Sequence, residues 1–174
     1  QRSTISHRLE LYKKNYKLNT IVAIGTLPKS RAKPMHIIMA QPLKNDMVIS
    51  ELQINDAENA EDWQIIHTLQ KGLNQYADRT YTIMSIPEKY IGSNWIRTAN
   101  DSKIFSSGQI AGFRLIGDAE VFIALDDRLE RRPQWMSGWN DTGDNLLSDD
   151  YPFSIYRKKF REGDYISLGP IGNL

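Results

Sequence analysis

Gly112-Phe113-Arg114-Leu115-Ile116-Gly117-Asp118-Ala119-Glu120-Val121-Phe122-Ile123-Ala124-Leu125 is the stretch whose reading decides the fold. Two runs rich in β-branched and aromatic residues flank Gly117-Asp118, a dipeptide of the kind that closes tight turns, so the segment reads as a β-hairpin. The same style continues on both sides. Residues 63–69 and 95–99 read as strands, and residues 79–84 alternate Tyr and Ile/Met with polar residues as a half-buried strand does. Residues 87–92 read as one helical turn opened by Pro87 and closed by Gly92. Downstream, residues 133–143 form a loop rich in tryptophan and turn formers, and residues 153–158 and 165–168 are strands joined by Arg161-Glu162-Gly163-Asp164. Short strands separated by turn signals define an all-β domain of β-sandwich or jelly-roll-like type.

The N-terminal segment is less regular. Residues 8–14 suggest a short helix, residues 20–26 and 36–39 suggest strands, and residues 27–34, with Pro28 and Pro34, read as an exposed connection. Residues 1–50 carry nine Lys/Arg against two Asp/Glu, a net +7, whereas residues 51–174 carry thirteen against nineteen, a net −6. The chain therefore divides into a basic arm over 1–50, either a linker or a remnant of a preceding domain, and a body over 51–174. Such asymmetry suits attraction between the two parts or docking on an acidic neighbour. Nucleic acid is not an expected partner, because the basic residues are scattered and no recognition motif accompanies them.

The 174 residues suffice for one domain with a real core. The absence of cysteine excludes disulfides and thiolate chemistry. No apolar run approaches the ~20 residues of a spanning helix, and Gln1 reads as a trimmed or processed start. His7, His36 and His67 stand far apart, no Gly-x-Ser-x-Gly elbow or phosphate loop occurs, and no cofactor or metal is expected. Asp141-Thr142-Gly143-Asp144 and Asp149-Asp150 lack calcium-loop spacing and read as turn acids.

Two kinds of chemistry compete for the remaining polar and aromatic residues. Asp126-Asp127-Arg128 follows a strand, but neighbours on a strand face opposite ways, so the pair reads as loop-fixing carboxylates, one of them paired with Arg128 or Arg79. Trp135 and Trp139, bracketed by Pro133, Gly138 and Gly143, either stack on sugar rings with Asn140 or Asp141 binding hydroxyls, or fill the core. The enzymatic alternative is a small polysaccharide lyase or glycoside hydrolase, with Arg79 or Lys103 neutralising a uronate and Asp126 or His67 carrying a proton.

Five pieces occur in a telling order: Tyr76-Ala77-Asp78-Arg79-Thr80-Tyr81, Thr98-Ala99-Asn100-Asp101-Ser102-Lys103, Val121 to Arg128 with Pro133 and Trp135, Trp139-Asn140-Asp141-Thr142-Gly143, and Phe153-Ser154-Ile155-Tyr156 with Leu168-Gly169-Pro170. This set resembles an accessory β-sandwich module appended to secreted bacterial pectate-lyase-like and related polysaccharide-degrading enzymes. The resemblance implies a secreted or cell-envelope setting and a non-catalytic role, holding a polysaccharide, with acidic ones such as pectin among the candidates, or resting against a catalytic domain. It supplies no catalytic residue. The expected ligand-binding residues are Trp135, Trp139, Asp126, Asp127, Arg128 and Asp141.

Overall fold

A computed structural model describes residues 48–106, 108–149 and 151–171, together with the backbone strands at 19–21, 24–25 and 38–40. The described residues hold twelve strands. Four precede residue 60: β1 (Asn19–Ile21), β2 (Ile24–Gly25), β3 (Ile38–Ala40) and β4 (Ile49–Ile54). The middle contributes β5 (Gln64–Ile66), β6 (Ile83–Ser85), β7 (Asn94–Arg97) and β8 (Ala111–Leu115). The last four are β9 (Ala119–Asp126), β10 (Asn140–Ser148), β11 (Tyr151–Phe160) and β12 (Tyr165–Leu168).

The strands form two sheets, an all-β sandwich. The larger runs β5-β7-β3-β9-β11-β10-β6, with β1 and β2 also pairing to β9, and the smaller runs β12-β8-β4. β9 is central and buried at all eight positions. Alternation along the strand explains why. Ala119, Val121, Ile123 and Leu125 face the small sheet, in a core with Phe113, Leu115, Ile49, Ile166 and Trp139. Phe122 and Ala124 face the other way, into a second core with Leu69, Ile83, Ile86, Tyr90, Trp95, Phe153 and Ile155. The excursion between β5 and β7 thus acts as a third layer over the outer face of the large sheet.

The expected hairpin across Gly117-Asp118 is not formed. β8 and β9 exist as strands, but β8 pairs with β4 and β12 in the small sheet while β9 pairs with β11 in the large one. Neither Gly117 nor Asp118 takes the positive φ that a type I′ turn requires at its central residues. Packing supplies the reason: as hairpin neighbours, Phe113 and Leu115 would lie beside Val121 and Ile123 with the shared face open, whereas on opposed sheets they close over one another. The dipeptide is instead an arch between sheets, and 161–164 is a second arch beside it, carrying β11 to β12. The two are tied by Asp118 Oδ1, which accepts from Glu162 N at 2.9 Å, and by Gly163 N, which donates to Leu115 O at 2.9 Å.

Other expectations shift by less. The strand expected over 79–84 is confined to β6, because Arg79 is drawn into an ion-pair cluster. The loop expected over 133–143 ends early: Gln134–Met136 is a 3-10 turn, and β10 begins at Asn140. Its turn formers make a bulge, with Gly143 at φ +74° and a register slip between Asp141 and Asn145. The turn at 87–92 is a 3-10 turn, Glu88–Tyr90, followed by Gly92 at φ +84°. β1, β2 and β3 fall where residues 20–26 and 36–39 suggested strands, whereas the helix expected at 8–14 and the connection at 27–34 lie outside the described residues. β4 straddles residue 50, with Val48 and Ile49 buried.

Burial of β9 on both faces makes a direct prediction. Phe122→Ala and Ile123→Ala, on opposite faces, each lower the unfolding free energy by about 2–5 kcal/mol in urea titrations. A near-neutral result for either one, within about 0.5 kcal/mol, places that face against solvent.

Candidate functional site

Where β9 ends, the chain turns sharply and its first two acids are committed to that turn. Asp126, 1% exposed, receives Arg128 through two guanidinium nitrogens, Nε at 2.9 Å to Oδ1 and Nη2 at 2.6 Å to Oδ2. Arg128 N also donates to Oδ1 at 2.8 Å, and the guanidinium sits 3.5 Å from the centre of the Tyr151 ring. Asp127 turns the other way, its Oδ1 accepting from Ser154 N at 2.9 Å on β11. Both carboxylates therefore fix the loop, as the alternation argument expected, and a proton-carrying Asp126 has no support from this geometry. Nearby, burial and then the Asp126 carboxylate push the Tyr76 phenol well above its ordinary value.

Beside this turn lies an open depression of about 260 Å³, lined by Leu125, Asp126, Asp127, Leu129, Arg132 and Tyr156. Tyr156 stands on β11, opposite Ile123 of β9 and Asp141 of β10. Arg132 lies over its ring, 5.4 Å from the centre, and donates to Trp139 O at 3.0 Å. Burial, then the charge of Asp141, raises the Tyr156 phenol above its ordinary value, so it stays a neutral hydroxyl near neutral pH. Asp141 itself is exposed and accepts from Gly143 N at 2.8 Å, holding the bulge. The depression thus offers the Asp127 carboxylate, a guanidinium, a phenol and two leucines around one hollow, the Asp126 carboxylate being enclosed behind them by Arg128.

The tryptophans are elsewhere, and for Trp139 this is a correction. Trp139 is 5% exposed, packed in the core against Phe160 with ring centres 5.8 Å apart, so it cannot act as an exposed stacking platform. Trp135 is half-buried: its Nε1 donates to Pro170 O at 2.9 Å, and its indole lies so close on Gly169 that a Cβ there would meet Cδ1 at 2.4 Å. The two do not share a surface. Of the six sequence-nominated residues, Asp126 and Asp127 line the depression, Asp141 flanks it, Arg128 braces it, and the tryptophans belong to the structure behind it. Arg132 and Tyr156 were missed. Only the β9–β11–β10 register brings them together, and that register is not visible from local sequence.

Arg79 and Lys103 are likewise bound in a lock. Asp78 accepts from the main-chain amides of Asn100 at 2.7 Å and Asp101 at 2.9 Å. Arg79 bridges Asp78 and Asp101, and Lys103 Nζ reaches Asp101 at 3.4 Å. The Asn100 amide oxygen, in the orientation that satisfies its neighbours, accepts from Lys103 Nζ at 2.7 Å. Trp63 Nε1 donates to Ser102 Oγ at 3.0 Å beneath. His67 lies exposed outside this cluster. The acids that looked like turn residues also have partners: Asp149 Oδ1 accepts from Thr82 N at 2.9 Å, and Asp144 Oδ2 accepts from Tyr90 OH at 2.6 Å and pairs with Lys89.

No family model matches the chain, and no curated protein matches it. Among solved structures, the chain is similar to a β-glucuronidase from glycoside hydrolase family 2, with a TM-score of 0.64 at 13% identity. The match covers 89% of this chain and 24% of that one, so this chain spans about a quarter of the enzyme's length. At that identity the likeness concerns the fold: the same β-rich arrangement occurs as one portion of a larger chain.

The Tyr90–Asp144–Lys89 cluster predicts a pH effect. Burial alone would raise the Asp144 carboxyl, but hydrogen bonds from Lys89 and Tyr90 outweigh it and hold the group below its ordinary 3.8. A carboxyl lowered on folding stabilises the native state above its unfolded value, and that contribution is lost as pH falls through the folded value. Chemical denaturation of Asp144→Asn should show a deficit at neutral pH that closes between about pH 5 and pH 2. A deficit of constant size across that range would remove the charge from the explanation.

Proposed function

We propose that this domain is a non-catalytic, carbohydrate-associated module that holds a polysaccharide for a polysaccharide-degrading system. The observation that carries the reading is the depression formed by Tyr156, Arg132, Asp127, Leu125 and Leu129 beside Asp141. Sugar recognition needs bidentate hydrogen bonding to hydroxyls next to an apolar patch for the C–H face of the ring. Here carboxylate oxygens accept, Arg132 and the neutral Tyr156 phenol donate, and the leucines with the tyrosine ring supply the patch. The accessory role rests on the resemblance of the ordered motifs to modules of secreted polysaccharide-degrading enzymes. The likeness to one portion of a β-glucuronidase agrees with a domain that serves a larger enzyme. A secreted or envelope setting belongs to the same proposal.

The net charge of the hollow favours neutral sugar over uronate. Asp126 is neutralised by Arg128, which leaves Asp127 and Asp141 against Arg132. In affinity electrophoresis, Tyr156→Ala and Arg132→Ala each weaken retardation by a neutral polysaccharide about tenfold, equivalent to ~1.4 kcal/mol, while far-ultraviolet circular dichroism shows the fold retained. Binding through Asp127 and Asp141 to hydroxyls changes little with salt, whereas a uronate held by Arg132 is released by it. Failure to bind any neutral or pectic polymer would remove the binding role and leave a purely structural accessory domain.

A further inference from the structure

The outer face of the small sheet carries a second arrangement, on a different sheet from the Tyr156 that lines the depression. On β12, Ile166 and Leu168 point into the core while Tyr165 and Ser167 point out. Tyr165 pairs with Arg114 of β8, and Ser167 with Gly112, which in turn faces Gln53 of β4. The Tyr165 ring does not stand off the sheet but leans diagonally across Gly112. A Cβ at Gly112 would meet the phenol oxygen at 2.1 Å and Cζ at 2.5 Å, so the ring lies directly on the main chain and any larger residue would lift it. The residue is 38% exposed, and the Arg114 guanidinium stands over the ring, 5.8 Å from its centre.

Uncharged hydrogen-bonding groups gather at the hydroxyl end of the ring. Gln109 Nε2 donates to Tyr165 OH at 2.7 Å, Tyr165 OH donates to Gln53 Oε1 at 3.3 Å, and Ser167 Oγ donates to Gln109 Oε1 at 2.8 Å. A glutamine amide has two donor hydrogens. Among the described residues Gln53 Nε2 donates to no group, and Gln109 Nε2 donates to Tyr165 alone. The two charges on this face cancel, since Arg114 Nε pairs with Glu51 Oε2 at 3.0 Å and Arg114 Nη1 is held by Gly163 O at 2.8 Å.

We infer that the Tyr165 face is a second carbohydrate subsite, taking one neutral pyranose ring flat on the tyrosine with its hydroxyls on Gln53, Gln109 and Ser167. The charge pattern selects the ligand. A phosphate or uronate would need an unpaired cation, and an apolar partner would strand the amides, whereas a neutral polyol satisfies both the flat apolar surface and the rim of amides and hydroxyls. The sugar class rests on the function proposed above, but the atoms are different and the test separates them. The competing account is that Tyr165 merely covers Gly112, as an aromatic ring often shields a glycine within a sheet.

The test is an NMR titration of the whole chain with cellohexaose, mannohexaose, xylohexaose and a β-1,4-galactan tetraose, following the side-chain amides of Gln53 and Gln109 and the rings of Tyr165 and Tyr156. The expected result is that at least one of these sugars shifts the Gln53 and Gln109 amides. That response should weaken at least about tenfold in Tyr165→Leu, which removes the ring, and persist in Tyr165→Phe and in Tyr156→Ala. Shifts confined to Tyr156 and its neighbours would overturn the subsite and leave the depression standing. A Gln53 and Gln109 response that survives Tyr165→Leu would also overturn it, and silence on both faces would remove the two sites together.

Discussion

Val121, Ile123 and Leu125 leave β9 on one side and Phe122 and Ala124 on the other, and both sets are closed off from water. This constraint organises the molecule. A strand with two apolar faces has to sit inside three layers, so the small sheet must cover one face and the 67–93 excursion the other. The arches at 116–118 and 161–164 follow from it, because each carries the chain from one sheet to the other instead of folding it back as a hairpin. Their mutual hydrogen bonds then fix the edge at which the two sheets meet.

The polar motifs act as locks on that framework. Asp78 and Arg79 tie the turn before β6 to the turn after β7, Asp127 ties the end of β9 to β11, and Trp135 seals the C-terminal Gly169-Pro170. Each uses a charged or aromatic side chain to satisfy main-chain groups that loops leave without partners. Several residues that invite a catalytic reading, Asp126, Arg79 and Lys103 among them, are thereby occupied with structure. The depression is what lies between the locks: Arg132 and Tyr156 face it because Trp139 O and the β9–β11 register hold them there.

Strand identity was largely readable from sequence, but strand partnership was not. The runs on both sides of Gly117-Asp118 are strands, yet the same dipeptide serves a tight hairpin and an arch, and only the buried faces decide between them. The unbroken apolar run 121–125, without alternation, was the available signal that a flat two-strand hairpin would leave one face bare. β10 was hidden for a different reason: Asp141-Thr142-Gly143-Asp144 has turn composition because it forms a bulge within a strand. Asp126, Asp127 and Asp141 were legible as loop-fixing acids from their position after strands and in turns. Trp139 misled because a tryptophan among glycines and a proline resembles an exposed loop aromatic, while its ring reaches Phe160 in the core. Tyr156 and Arg132 carry no local mark, since their nearness depends on pairing across three strands.

Native-state hydrogen exchange tests the central place of β9 most directly, because exchange through global unfolding reports which amides open last. The expected result is that Val121 to Leu125 are among the slowest amides, with residues 153–157 of β11 close behind, while the arches at 116–118 and 161–164 exchange earlier. Exchange of 121–125 at the rate of the arches would contradict the account, because a strand enclosed on both faces cannot open before the turns that deliver it.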